Sequence, residues 1–177
     1  MSTTATTQTS TTTWNIDPVH SHAEFKVRHM MVSNVKGQFT SVKGQLILDE
    51  ADLLNSRIEA SIDANSINTR EPQRDAHLKS PDFLDAEKFP TLTFKSSHVS
   101  RVDEGELAVD GELTIHGVTR KVVFEVEGPT PPAKDPWGGT RLGLTATTKI
   151  NRGDFGMNFD ETVGQQVAID LEIDVKK

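Results

Sequence analysis

LAVDGELTIHGVTRKVVFEVE, residues 107–127, decides how the rest of the chain is read. Leu107, Val109, Gly111, Leu113 and Ile115 alternate with mostly polar residues. After His116-Gly117 the alternation resumes at Val122, Phe124 and Val126. A period of two puts the apolar residues on one face of a strand, and a Gly-containing break between two such runs reads as a hairpin turn. Outward from this hairpin the pattern recurs. Toward the N-terminus it runs through Ala23, Phe25, Val27, His29 and Met31, then Val35, Gly37 and Phe39, then Val42, Gly44, Leu46 and Leu48. Ile58, Ala60 and Ile62 follow, and then Leu92, Phe94, Ser96 and His98. Toward the C-terminus it runs through Leu142, Leu144, Ala146, Thr148 and Ile150, and ends on Val167, Ile169, Leu171, Ile173 and Val175. That makes about eight strands, each apolar on one face only, and several are roughly ten residues long. One-sided strands form an antiparallel sheet with one wet face. Long ones favour closure into a barrel, which abolishes exposed edges. An eight-stranded barrel holds at most one small ligand inside.

The totals bound the rest. The chain has 177 residues with no cysteine, so disulfides, thiolate catalysis and cysteine-type zinc sites are excluded. A net charge of −7 argues against a nucleic-acid partner. Residues 1–13, MSTTATTQTSTTT, read as a disordered Thr/Ser tail, and residues 14–177 as a single β-barrel domain. The tail has neither the basic nor the apolar region of a signal peptide, so a cytoplasmic protein is expected, or a periplasmic one if a leader has been removed. No stretch approaches the roughly 18 apolar residues of a membrane-spanning helix.

RDAHLKSPDFLDAEKFP, Arg74 to Pro90, breaks the alternation. Arg70 to Ser80 can form two helical turns with Pro72 near their start, and Ser80-Pro81-Asp82 offers a second start, with Ser as N-cap and Pro at the first helical position. The expectation is a short helical insertion around residues 70–88, between two strands and beside one mouth of the barrel. Loops longer than about 12–15 residues usually have a function or are disordered, and this one carries too many apolar residues to be disordered. Two readings stand. Arg74, Asp75 and His77 form a hydrogen-bonded corner that pins the helix to the barrel. Alternatively, Leu78, Phe83, Leu84 and Phe89 line an apolar cavity, and Arg74 and His77 face a ligand's polar end. As an acid–base pair Asp75 and His77 are poorly spaced, because residues two apart on a helix do not face each other.

Other constellations carry less. His20-Ser21-His22 supplies two imidazoles, too few for zinc, and reads as hydrogen-bonded strand residues. His29 lies on the apolar parity, either as a satisfied core residue or as a donor to a ligand's head group. Met30, Met31 and Met157 suit a pliable pocket or ordinary core filling. Arg152, in Asn151-Arg152-Gly153-Asp154-Phe155-Gly156, meets a phosphate or pairs with Asp154 across the turn. Neither a G-x-S-x-G elbow nor a phosphate-binding P-loop is present, and no cofactor is expected.

The set of motifs resembles the YceI-like family, whose members are lipocalin-like and bind polyisoprenoids. The resemblance rests on Trp14-Asn15-Ile16-Asp17-Pro18-Val19-His20-Ser21, Phe25-Lys26-Val27-Arg28-His29, Gly37-Gln38-Phe39, the Arg74–Leu84 segment, Phe89-Pro90, Thr93-Phe94, Gly111–Thr119 and Asn151–Gly156, in that order over nearly the whole domain. It implies an all-β fold, an extended eight-stranded antiparallel lipocalin-like barrel around a long apolar pocket, with a helical insertion. It also implies a binding protein rather than an enzyme, whose partner is an isoprenoid or other long-chain apolar ligand such as a polyprenyl phosphate or prenyl quinone. A homodimer is consistent with it, and many relatives are periplasmic. On this reading Phe25, Val27, Met31, Phe39, Leu78, Phe83, Leu84, Phe94, Leu113, Phe124 and Phe155 line the cavity, and His29, Arg74, His77 and Arg152 orient the ligand. Two alternatives remain: an enzyme acting on a hydrophobic substrate inside the barrel, and a stress or interaction protein whose barrel is filled by its own side chains. Burial at about 0.8 kcal/mol per CH₂-sized group gives three prenyl units on the order of 10 kcal/mol gross, from which ordering and association costs are subtracted.

Overall fold

Twelve strands and one α-helix occupy residues 10–177, the part of the chain that the computed structural model describes. The strands are β1 (Thr11–Ile16), β2 (His22–His29), β3 (Ser33–Phe39), β4 (Val42–Asp49), β5 (Arg57–Asp63) and β6 (Ile67–Asn68), then, after helix α1 (Pro72–Lys79), β7 (Thr91–Asp103), β8 (Glu106–Ile115), β9 (Val118–Glu127), β10 (Ala133–Lys134), β11 (Thr140–Asn151) and β12 (Val163–Lys176).

Eight of them close a ring in the order β1-β4-β5-β7-β8-β9-β11-β12, with β12 returning to β1, and every pairing is antiparallel. The expected all-β, eight-stranded antiparallel barrel is therefore the fold. Strand β12 makes the closure. One edge pairs with β11 from Gln166 to Lys176. The other edge is shared, with β2 along Val163–Glu172 and β1 at Val175 and Lys176. Beyond β2 the sheet continues through β3 to the short β6. At that end β2, β3 and β6 continue the wall, and the 69–90 segment follows β6.

Alternation holds along most strands because one face is buried. In β8, Leu107, Val109, Leu113 and Ile115 are buried, and in β12 so are Ile173 and Val175. Three differences from the sequence reading have local causes. Strand β1 begins at Thr11, because Thr11–Thr13 pair with Ile47–Asp49, so these residues are not tail. The remainder of the expected tail, residues 1–9, lies outside the described residues. In β7 a bulge between Ser96 and His98 switches the parity, so Val99 turns inward and His98 is exposed. Strand β2 stops at His29, and Met30 and Met31 form the turn into β3 with φ of +51° and +57°.

The insertion has one helix rather than two. Glu71 caps α1 by accepting from the N–H groups of Gln73 and Arg74, with Pro72 in the first turn. The expected second helix at Ser80-Pro81-Asp82 does not form. Leu84 N–H donates back to Leu78 O and Ala86 N–H to Lys79 O, both at 2.9 Å, so the chain recoils on α1 instead of winding onward. This recoil turns Leu84 and Ala86 inward, where they pack with Ile115, Ile150 and Phe155.

At the other end of β11, Arg141 binds three carboxylates. Its Nη1 donates to Asp17 (2.7 Å) and Asp174 (3.2 Å), and its Nε to Asp135 (3.1 Å). Asp17 is almost wholly buried and also accepts from His20 Nδ1 at 3.0 Å. His20 lies in a turn, and Ser21 Oγ exchanges hydrogen bonds with the backbone of Asp174, so the His20-Ser21 motif ties β1 and β2 to β12. The His20 ring and the Arg141 guanidinium, with Lys176 nearby, hold the Asp17 carboxyl well below the ordinary carboxylate range, against the opposing effect of burial.

Candidate functional site

A cavity of about 250 Å³ runs inside the barrel, bordered by residues from β2 to β9, β11 and β12 and from the insertion. A single buried water needs only about 10–15 Å³ on a comparable measure, so the barrel is not filled by its own side chains. The wall is almost entirely aliphatic and aromatic, with Ile62, Val109, Leu144, Ile169 and Leu171 joining the phenylalanines.

Glycines set where the rings lie. Phe25 on β2 pairs in register with Gly37 on β3, and its ring covers that glycine so closely that a Cβ there would collide with it. Phe94 on β7 lies over Gly111 on β8 in the same way and meets Phe124 of β9 edge-on, with centroids 5.0 Å apart. Phe25 and Phe39 meet at 5.7 Å. The two clusters border the cavity from different walls.

The insertion supplies the flap. Leu78, Phe83 and Leu84 border the cavity from it. Arg74 and Asp75 are occupied elsewhere. Arg74 Nε donates to Thr69 Oγ1 and Nη2 to Thr69 O, both at 2.8 Å, while Thr69 donates from N and Oγ1 to Asp75 Oδ1 at 2.8 and 2.6 Å. This is the pinning corner, built on a buried threonine. His77 is not part of it: its Nε2 pairs with Asp82 Oδ2 at 2.8 Å, within the flap. Asp75 and His77 share no contact that would make them an acid–base pair.

Ten of the residues selected from sequence border the cavity: Phe25, Val27, Phe39, Leu78, Phe83, Leu84, Phe94, Leu113, Phe124 and Arg152. Five do not. Met31 is 74% exposed, because its strand ended two residues earlier. His29 is half-buried at the end of β2, outside the cavity wall. Phe155 is buried among Ile115, Ile150 and Leu84 behind the wall. Arg74 and His77 are held by Thr69 and Asp82 as described.

Arg152 has neither of its expected partners. It is 4% exposed, and its five N–H groups donate to five backbone oxygens: Gly164 from Nε, Met157 and Phe159 from Nη1, and Asp160 and Val163 from Nη2, at 2.6–3.0 Å. A guanidinium has five N–H donors, so none is left for a phosphate. Burial pushes its pKa down, and Asp160 opposes this. Sequence reasoning missed this role, because three acceptors lie on an irregular loop and two at the start of β12, where no periodicity marks them. It also missed the far end of the cavity, where Leu48, Leu53, Ser56, Arg57 and Ile58 border it. The parity of Leu48 and Ile58 was a usable signal there.

Residues 14–175 match the family model of the YceI-like domain. A UPF0312 protein of Vibrio cholerae is 36% identical over 157 residues, covering 89% of this chain and 81% of that protein. The YCEI protein of Campylobacter jejuni, in its crystal structure, is similar with a TM-score of 0.75 and 29% identity, covering 86% of this chain and 90% of that one. A polyisoprenoid binding domain from Saccharophagus degradans, implicated in plant cell wall breakdown, has a TM-score of 0.68 over 92% of this chain and 97% of its own. At 15% identity this last likeness is one of fold.

Proposed function

This chain belongs to the YceI-like domain family, and we propose that it binds an amphiphilic isoprenoid lipid, a polyprenyl phosphate or a prenyl quinone, in the barrel cavity and so carries or sequesters it. The observation that carries the reading is the cavity itself: about 250 Å³ bordered by an almost wholly apolar wall. A filled barrel would not leave that space. The structural neighbour described as a polyisoprenoid binding domain supports the same ligand class. A prenyl chain is barely soluble in water, and each CH₂-sized group it buries stabilises the complex by about 0.8 kcal/mol, so affinity comes from the tail. The wall offers no free donor from Arg152, so the polar head stays at a mouth of the barrel. The reading is of a binding protein, not an enzyme.

Calorimetric titration with prenyl phosphates and with prenyl quinones of increasing length tests it. Affinity should rise by about tenfold or more per added unit until the cavity is full. Binding that is absent, or indifferent to chain length, would overturn the proposal.

A further inference from the structure

The turn between β2 and β3 presents three large apolar residues to solvent: Met30, Met31 and Val32 are 61, 74 and 82% exposed. Its central pair, Met30 and Met31, both have positive φ, a geometry that Asn-Gly fills best and long side chains fill poorly. Apolar side chains are thus held outward in a turn whose geometry does not favour them.

Two further observations converge on this tip. Met30 N–H donates to Thr162 O at 2.7 Å, which joins the turn to the 157–162 loop, where Phe159 is 46% exposed. The Phe159 ring packs edge-on against Phe83, centroids 5.6 Å apart, and Phe83 borders the cavity. Val163, another cavity residue, pairs in register with His29 next to the turn. The apolar tip is therefore continuous with the flap end of the cavity. Behind it, the tip half of the hairpin's outer face is basic, with the acid Glu24 one outward position further back. Lys26 and Lys36 stand directly opposite each other in register, with Arg28 one outward position on. All three are exposed and form no ion pair among the described residues. Like charges directly opposite on paired strands destabilise a sheet, and this pair persists in a chain of net charge −7.

We propose that the β2–β3 hairpin is a membrane-docking prow: Met30, Met31, Val32 and Phe159 enter the interface of an anionic phospholipid bilayer, and Lys26, Arg28 and Lys36 rest on its head groups. The proposal builds on the lipid-binding reading and adds the place where the ligand enters. Apolar insertion together with cationic attraction is the general form of reversible interfacial binding. A prenyl lipid leaving the bilayer would pass between Phe159 and Phe83 to reach the cavity.

The test is co-sedimentation with phosphatidylcholine vesicles, with and without phosphatidylglycerol. The full chain is compared with Met30→Asn/Met31→Gly and with Lys26→Glu/Lys36→Glu. The first variant suits the turn, so its thermal midpoint should hold or rise while vesicle binding falls about fivefold or more. The second should lose the preference for phosphatidylglycerol. Wild-type protein that does not sediment with either vesicle, or a Met30→Asn/Met31→Gly variant that binds like wild type, would overturn the proposal. So would a variant that turns a dimer into a monomer with vesicle binding unchanged, which would make the tip an interface between copies. Prenyl phosphate added from solution separates the two claims. Cavity binding retained in a variant that no longer sediments supports docking at the tip. Sedimenting wild-type protein that takes up neither prenyl phosphate nor prenyl quinone leaves docking standing and removes the cavity reading.

Discussion

The guanidinium carbon of Arg152 stands 5.9 Å from the centre of the Phe83 ring. Arg152 gathers five carbonyls from the 157–160 loop and the start of β12, and Phe83 is the flap residue packed beneath it. The cation, with all five N–H groups engaged by backbone oxygens, therefore braces the flap against the barrel end. Arg152→Met should lower unfolding free energy by about 3 kcal/mol in urea denaturation, because several acceptors lose their donors at once. Arg152→Lys should recover only part of that, since an ammonium has three donors in a different geometry. A lysine variant of normal stability that lost affinity for prenyl phosphate would instead assign the head group to this site.

The flap residues should divide by what they touch. Phe83 and Leu84 are buried at the cavity, whereas Lys79, half-buried at the C-terminal end of α1, does not border it. Phe83→Ala and Leu84→Ala should each weaken prenyl binding by about tenfold or more, as expected for losing a few buried carbons. Lys79→Ala should leave affinity within about twofold. Equal effects from all three, measured by titration on folded protein, would contradict the flap's role.

Filling the space is the complementary change. Ala146 on β11 is buried and borders the cavity. Ala146→Phe should keep or raise the thermal midpoint, because the added ring enters free volume rather than a packed core, where overpacking costs about 1–3 kcal/mol. Its capacity for long prenyl chains should fall. A strongly destabilised variant would show that the space is not available.

Acid should loosen the end opposite the flap first. His20 and Arg141 hold the Asp17 carboxyl below its ordinary value, so the folded state binds that proton less readily than the unfolded chain does. Such a group contributes stability that is fully present above an ordinary carboxylate pKa near 4 and is lost as pH falls below it. Asp17→Asn should lower stability at neutral pH and flatten the decline below about pH 4 in thermal-melt series. An unchanged acid limb would mean that other carboxylates control it.

Period-two reading worked wherever a strand is straight and one-sided, as in β8, β9 and β11, because burial of one face writes itself directly into the sequence. It failed where the backbone departs from that rule. The bulge after Ser96 exchanged His98 for Val99, and the turn after His29 carried Met31 out to solvent. The Phe25 and Leu113 positions in the cavity were legible from parity. Arg152 and Arg141 were not, because their partners are set by a loop and by residues up to 124 positions away in the chain. The double pairing of β12 was equally hidden, since a register between distant strands leaves no local mark.

Native mass spectrometry of gently purified protein, followed by solvent extraction of whatever it carries, reads occupancy of the barrel cavity. The expected result is a discrete added mass that extracts as a prenyl lipid, or that appears on incubation with one and is reduced by Ala146→Phe. A protein that stays at its bare mass after incubation with prenyl lipids would contradict it.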